Sequence, residues 1–468
     1  MKFASLIFAP VLLCAQSPVT DWPQFRGPNG SGISRDAGTP DEVGPDKNVI
    51  WKTALPPGHS SPVLAGSRVF VTAADGEALF TFCLDRATGK ILWRREAPRP
   101  RKEGFQKTNS PAAPSPAADG DSVFVFFGDF GILAYGKDGN ERWRLPLGPF
   151  NNQNGHGSSP LVVGDLVVLI CDQDTNSYLI AVDKKSGKVR WKVDRAGITR
   201  GYATPGVFRP AKGPAQLIVS GSYQLASYAL ATGEKLWWVN GMAWQVKGVP
   251  LIDGDTIYVN TWEAGGDFET PPNVDAWETV AAKYDANKDG KLTPEEAKPI
   301  FRRGFNDYDL NKDGVLDAEE WEFYNRLRTA TNNLLAIRPT GRGDLTDKVT
   351  WRYRKSLPNI PSPLLYGGTL FLVKDGGIVT TIDPKSGAVL KQGRVPGATE
   401  QFWSSPVGAA GKVYLLSQGC KLAVLKAEPQ WEVLRVNDLD DECFATPALA
   451  DNSIYLRTRH HLYRFGQK

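Results

Sequence analysis

Ser159-Pro-Leu-Val-Val-Gly-Asp-Leu-Val-Val-Leu-Ile170, followed by Tyr178-Leu-Ile-Ala-Val-Asp-Lys-Lys-Ser-Gly-Lys-Val-Arg-Trp191, is the stretch whose reading decides the fold. It runs Ser-Pro, an apolar strand, Gly-Asp, a second strand, a third strand ending in Asp, then Ser-Gly-Lys and a fourth strand holding Trp. Short apolar runs punctuated by glycine and aspartate read as strands joined by tight turns. The unit recurs from Ser61-Pro62 to Trp93, Ser115-Pro116 to Trp143 and Thr204-Pro205 to Trp237. It recurs again from Ser362-Pro363 to Leu390, Ser405-Pro406 to Trp431, and Thr446-Pro447 to the C-terminus. One copy starts at Val249-Pro250, breaks after Trp262, and resumes from Asn333 to Trp351.

Four strands per unit, at steps of 41–54 residues outside the interrupted copy, predict an all-β, eight-bladed β-propeller of four-stranded antiparallel blades. The last unit lacks its fourth strand. Asn48-Val-Ile-Trp51, ahead of the first unit, reads as that missing strand, which would close the ring and remove two open sheet edges. Each unit's Asp and Gly-Lys read as shaping the hairpin between third and fourth strands, and each Trp as core or inter-blade packing. The sixth unit has no aromatic at Leu390-Lys391.

The interruption carries its own chemistry. Asp285-Ala-Asn-Lys-Asp-Gly-Lys-Leu-Thr-Pro-Glu-Glu296 and Asp309-Leu-Asn-Lys-Asp-Gly-Val-Leu-Asp-Ala-Glu-Glu320 place oxygens at the offsets that a hard divalent cation requires. Both loops resemble the EF-hand family, which implies two Ca²⁺ sites. The ligands of the first would be Asp285, Asn287, Asp289, the Lys291 carbonyl, Thr293 and Glu296. Those of the second would be Asp309, Asn311, Asp313, the Val315 carbonyl, Asp317 and Glu320. Leu292 and Leu316 would pair the loops through a short β-bridge. Helices are expected over Val274 to Tyr284 and Ala318 to Leu327. One shared helix, kinked at Pro299, is expected over Ala297 to Tyr308. With four carboxylates against three, the second loop should bind more tightly, the pair lying toward the weak extracellular range of about 10⁻⁴–10⁻³ M.

The repeat resembles the pyrroloquinoline-quinone-like propeller family, as at Thr81-Phe-Cys-Leu-Asp-Arg-Ala-Thr-Gly-Lys-Ile-Leu-Trp93. The resemblance covers nearly everything from Trp22 to Phe465 outside the insert. Asp21-Trp-Pro-Gln-Phe-Arg-Gly-Pro-Asn-Gly-Ser-Gly32 looks like the leader found before such repeats in secreted bacterial proteins. The family implies two classes of function. One is a quinoprotein dehydrogenase carrying pyrroloquinoline quinone (PQQ) with calcium, for which Asp172, Glu400 and Glu442 are candidate bases. The other is a non-enzymatic scaffold similar to the outer-membrane assembly factor BamB. The chain has no vicinal cysteine pair and no long wall-forming insertions of the kind many quinoprotein alcohol dehydrogenases carry.

Residues 1–16 read as a signal peptide: Lys2, an apolar run, then small residues. A periplasmic or secreted location follows. A lipid anchor at Cys14 is the weaker reading, because Leu13 is a poor neighbour for lipidation. The remaining order is a leader over 17–47, propeller over 48–262, the EF-hand insert over 263–332 and propeller over 333–468. Cys420 and Cys443 are candidates for a disulfide, and buried thiols are the alternative. A net charge of +4 over 468 residues, with both signs interspersed, gives no nucleic-acid signature. A monomer is expected, with peripheral membrane association left open.

In an up-and-down blade the loops joining strand two to three share one face with the blade-to-blade segments. The insert and the residues preceding each Ser/Thr-Pro should therefore meet on one mouth. Those residues are His59, Asn109, His156, Arg200, Tyr202, Gln245, Lys247, Asn359, Gln401, Trp403 and Glu442. Of these, His59, His156, Tyr202, Lys247, Asn359, Trp403 and Glu442 are the candidate ligand-binding set. Trp244, Trp262 and Trp403 could anchor a protein or carbohydrate partner.

Overall fold

Eight antiparallel sheets form the propeller, as the computed structural model shows. It describes residues 21–467 apart from 37, 265, 268–271, 302 and 303. The signal-peptide reading and Cys14 lie outside the described residues. In blade 3, strands Leu161–Val163, Leu166–Cys171, Tyr178–Asp183 and Val189–Asp194 follow one another from the axis outward. The two middle strands are buried almost throughout, whereas the fourth faces solvent at alternate residues. Blade 4 gains a fifth, parallel strand, Gly343–Asp344, contributed by the connection within blade 5. Among the described residues no helix is long and apolar enough to cross a membrane.

The Ser/Thr-Pro pair has a physical role that its sequence pattern did not reveal. Proline has no amide donor, so each pair offers one N–H at the start of the innermost strand. That N–H donates to the hydroxyl of the next blade's Ser or Thr. Ser61 donates to Ser115 (2.9 Å), Ser115 to Ser159 (2.9 Å) and Ser159 to Thr204 (3.1 Å). Val249 donates to Ser362 (3.0 Å), Ser362 to Ser405 (2.9 Å), Ser405 to Thr446 (3.0 Å), and Thr446 to Ser61 (2.9 Å). The relay circles the axis and breaks at one point: Val249 has no hydroxyl to offer Thr204.

A second contact joins the blades at the rim. In five blades the fourth-strand Trp donates its indole N–H to the third-to-fourth turn of the following blade, whereas Trp237 of blade 4 donates to Gln216 of its own blade. Trp51 bonds Arg86 O, Trp93 bonds Lys137 O, Trp143 bonds Lys184 O, Trp191 bonds Leu230 O and Trp351 bonds Pro384 O, at 2.9–3.1 Å. The turn's glycine lies on the same indole. A Cβ at Gly89, Gly139, Gly187, Gly233 or Gly387 would come within 2.6–2.8 Å of the preceding Trp or its neighbours. These glycines also have φ of 69–82°, so the position excludes other residues twice over. Blade 7 departs from the sequence reading. Trp431 does not occupy its fourth strand, Val433–Asp438, but the turn before it. From there it packs back on blade 6, where Lys391 Nζ sits 4.5 Å above its ring and a Cβ at Gly393 would touch it. The missing aromatic at Leu390-Lys391 is thus replaced by one reaching in from the next blade.

The ring closes as expected. Val49–Ala54 pairs antiparallel with His461–Phe465, completing blade 8 with a strand from the N-terminal side. Cys420 and Cys443 form a disulfide, and Cys83 and Cys171 are buried free thiols. The preceding leader does more than lead in. It runs along the innermost strands: Trp22 pairs with Leu64, Ala118 N–H donates to Pro23 O, Asn29 exchanges two bonds with Val207, and Ile33 pairs with Gly408. Arg26 is fully buried, and its guanidinium donates to the carbonyls of Gly30, Ser362 and Pro363.

The insert leaves blade 5 between strands Thr256–Thr261 and Asn333–Ile337. It contains α1 (Trp277–Tyr284), α2 (Pro294–Ala297), α3 (Phe305–Tyr308) and α4 (Ala318–Thr329). The single kinked helix expected over Ala297 to Tyr308 is instead the end of α2 and a separate α3. Pro299 supplies no donor, and Gly304 before α3 has φ 87°, outside the helical region. Leu292 and Leu316 form the expected antiparallel bridge.

Replacing Ser405 with Ala should lower stability by about 1–3 kcal/mol, because Ser362 N–H is left buried without an acceptor. Val249→Thr should raise it by about 1 kcal/mol by completing the relay. Thermal unfolding midpoints check both. A downward shift in Val249→Thr would show that the gap does not admit a hydroxyl.

Candidate functional site

The segments before each Ser/Thr-Pro converge on a cavity of about 350 Å³ at the axial mouth. The relay hydroxyls Ser61, Ser115, Ser159, Ser362, Ser405 and Thr446 line its depth, and Phe25 of the leader closes the floor. On one wall His59 stacks on Phe444 at 4.0 Å, and Trp403 lies 5.8 Å from Phe444. Trp403 is fixed by its indole bond to Gln418 Oε1 (3.0 Å). Across the cavity Tyr202 receives a bond from Asn154 Nδ2 (3.0 Å), and Asn154 Oδ1 accepts from Gln106 (2.8 Å). Gln245, Lys247 and Asn359 complete the wall, and Asn359 Oδ1 has no hydrogen-bond partner.

Of the sequence-predicted set, His59, Tyr202, Lys247, Asn359 and Trp403 line this cavity, and His156 and Glu442 do not. His156 is buried behind the wall, 4.5 Å from Phe150 and 5.2 Å from Phe126, with Nε2 unpartnered. Glu442 pairs with Arg459 on an exposed edge. The remaining candidate bases also miss the cavity. Asp172 is buried in a two-bond pair with Arg195 (2.7 and 3.0 Å), and Glu400 is not among the lining residues. Among the described lining residues Lys247 is the one formal charge, and no carboxylate is present. Burial pulls both His59 and His156 down to about 4, so both are neutral at physiological pH.

A second cavity of about 440 Å³ lies beside the first and shares Gln245, Lys247 and Asn359 with it. Trp244, Trp262, Glu263, Tyr308, Leu327 and Arg328 supply other parts of its wall. Lys247 is pulled down to about 8 by burial, and Glu263 is pushed up to about 7 by burial. Neither makes an ion pair within 4 Å among the described residues. The insert therefore stands on the mouth face. Its Phe323 packs edge-on against Tyr223 and Trp244, Arg326 donates to Gly197 O, and Asn151 donates to Leu310 O.

The two acidic loops are folded around their own carboxylates. In the first, Asp285 accepts from Lys288 and Gly290 N–H, and Glu296 accepts from Ala286 and Thr293 N–H. In the second, Asp309 accepts from Asp313 and Gly314 N–H, and Glu320 from Leu310, Asn311 and Asp317 N–H. Asn287, Asp289, Asn311 and Asp313 each accept an amide two residues on. Thr293 and Asp317 cap α2 and α4. Asp309, Asp313 and Glu320 bring one oxygen each within 4.8 Å of one another, a group able to hold a metal ion. Lys291, whose carbonyl is the proposed ligand, sends its side chain to Asp313 (3.3 Å), and Val315 takes the same place in the second loop.

Sequence reasoning missed Phe25, Phe444, Gln106 and Asn154. Phe25 belongs to a leader with no repeat register, and the others sit in loops whose convergence depends on closure of the ring.

The chain matches the family described as outer membrane protein assembly factor BamB over residues 44–176 and 175–468, and it belongs to that family. No curated protein sequence matches it. Among solved structures it is similar to BamB from Moraxella catarrhalis, with 11% identity, 90% of this chain and 97% of that one covered, and TM-score 0.55. It is also similar to a europium-containing methanol dehydrogenase, with 11% identity, 97% and 99% covered, and TM-score 0.61. A third is a quinohemoprotein alcohol dehydrogenase from Comamonas testosteroni, with 11% identity, 96% and 81% covered, and TM-score 0.54. At these identities the likeness is one of fold.

The buried neutral histidines set an acid response. A histidine whose folded value lies below its unfolded one loses stability as pH falls from about 6.5 to about 4. Over that window His156→Leu should show a shallower fall in unfolding midpoint than the wild type. Parallel midpoint curves would remove His156 as a cause.

Proposed function

We propose that this chain is a periplasmic or secreted binding propeller without catalysis, whose mouth cavity takes a ligand and whose insert carries two Ca²⁺ ions. The observation that carries the reading is the lining of the axial cavity. It offers amides, hydroxyls, aromatic faces and one lysine, and among the described lining residues no carboxylate or paired nucleophile. Such a wall can bind and orient, but it supplies no general base. Membership of the BamB family supports a protein-interaction scaffold and a location outside the cytoplasm.

Calcium follows from the donor set of the two loops. Asp309 and Glu320 are buried beside Asp313, an arrangement of like charges that a divalent cation would neutralise. Burial raises Glu320, consistent with a carboxylate short of counter-charge. The second loop also docks directly on blade 3 through Leu310, so its occupation would fix the insert on the propeller.

Likeness to methanol and alcohol dehydrogenases raises the alternative of a quinone-dependent oxidoreductase. The residues present do not fit that group. A polycarboxylate quinone in the axial cavity would meet a single cation, Lys247, and Asp172, Glu400 and Glu442 all lie outside the cavity wall.

Calcium titration by calorimetry should give two ions per chain, and Glu320→Ala should leave one. An unchanged stoichiometry would overturn the ligand assignment. Added PQQ with calcium should produce no dye-linked alcohol oxidation, whereas turnover would overturn the non-catalytic reading.

A further inference from the structure

The two mouth cavities share one side of their walls, and that shared side carries the cation. Lys247 Nζ lies 6.0 Å above the Tyr202 ring and has no carboxylate within ion-pair distance among the described residues. It is half-buried, and its counter-charge, Glu263, stands beyond ion-pair distance, so a ligand carboxylate that reaches the ammonium directly would offset its desolvation better. The rest of the axial cavity's described wall is neutral, and Glu263 and Arg328 are the charged residues of the adjoining one. Trp403 and Tyr202 are both held by side-chain hydrogen bonds, so their rings are fixed before any ligand arrives. In the neighbouring cavity Trp244 is held by its bond to Thr199 Oγ1 (2.9 Å). Trp262 stands beside it, and Tyr308, Leu327 and Arg328 come from the insert.

Aromatic faces set among amides suit a ligand that has flat apolar faces edged by hydroxyls. Pyranose rings have that form. A peptide would bring backbone amides that need extended pairing, and no unpaired strand edge faces this mouth among the lining residues. Each cavity falls within the roughly 300–1,000 Å³ range of small-molecule sites.

We propose that the paired cavities form one two-chamber site for an oligosaccharide bearing a carboxylate, with the ligand's carboxylate at Lys247. One sugar ring lies against Trp403 and Phe444 over Phe25, and the next enters the chamber walled by Trp244 and Trp262. Gln245 and Asn359 serve hydroxyls of both. Glu263, raised to about 7, is partly protonated near neutrality, so it can share a proton with a sugar hydroxyl and repels the carboxylate less. Because Tyr308 and Leu327 belong to the insert, its seating shapes the outer chamber.

The inference rests on the binding-propeller reading and is tested separately from it. Calorimetry on the full mature chain with calcium would use aldotetraouronic acid (a xylotriose bearing one glucuronate, hence one carboxylate), xylotetraose and tetraglutamate as probes. Aldotetraouronic acid should bind at least about tenfold more tightly than the other two. Lys247→Met and Trp403→Ala should each weaken it by about tenfold, and Lys247→Arg should restore most of the loss. Binding should also weaken as pH rises past about 8, where the free lysine loses its charge. Thermal unfolding of each variant controls for folding. Absence of saccharide binding, equal binding of tetraglutamate, or unchanged affinity in Lys247→Met would each overturn the proposal. None of these results bears on the PQQ turnover assay, which tests the non-catalytic reading alone.

Discussion

A hydrogen bond from one blade's first amide to the next blade's first hydroxyl sets the geometry of this molecule. It is a bond between neighbours, repeated until it returns to its origin. Each link holds the starts of two innermost strands at a fixed spacing, and the spacing sets the width of the channel. Proline directly after the donor makes the arrangement selective, because it removes the only competing amide at that point. The single interruption, at Val249, falls in the blade that also carries the insert. There the Val249 side chain lies against Gly30 of the leader, so contact with the leader stands where the hydroxyl would be.

The rim obeys a complementary rule. A large indole on one blade needs a residue without a side chain on the next, and the turn that meets it needs positive φ. Glycine satisfies both demands. When blade 6 lacks the indole, blade 7 lacks the glycine and presents Trp431 from the turn instead. The packing volume is maintained while its source changes side. The axial cavity is then lined by the relay hydroxyls, by Phe25 of the leader and by side chains of the mouth loops.

The leader converts a channel into a cup. Its backbone follows the inner strands, and Arg26 anchors it through carbonyls of blade 6. Burial lowers that guanidinium to about 9, which still leaves it charged at neutral pH. A cation held only by carbonyl dipoles makes the plug specific in register, since a shift of one residue would remove its acceptors. The cup gives the mouth a floor, Phe25, that the repeat itself could not supply.

Much of this was legible in the chain. The Gly-Asp and Ser/Thr-Gly-Lys turns, the strand order, the blade count and the closing strand at Val49–Ala54 all rest on local pattern, and local pattern is written in consecutive residues. The acidic loops and the Leu292–Leu316 bridge were legible for the same reason. The continuous helix over Ala297 to Tyr308 was misread because its length suggested one element, while Pro299 and Gly304 divide it. Five of the seven candidate mouth residues were brought to the wall of the axial cavity. His156 and Glu442 were not, because topology gives a side chain's loop but not its direction: one turns inward to aromatic rings and the other outward to Arg459. The sequence by itself determined which units repeat and where they are interrupted. Only the tertiary structure decided that Ser/Thr hydroxyls form a relay, that the leader runs along the innermost strands, and that Lys247 stands between two chambers. Each of those depends on residues far apart in the chain, 41 to 385 positions along the relay, meeting in a closed ring, and no local pattern encodes that distance.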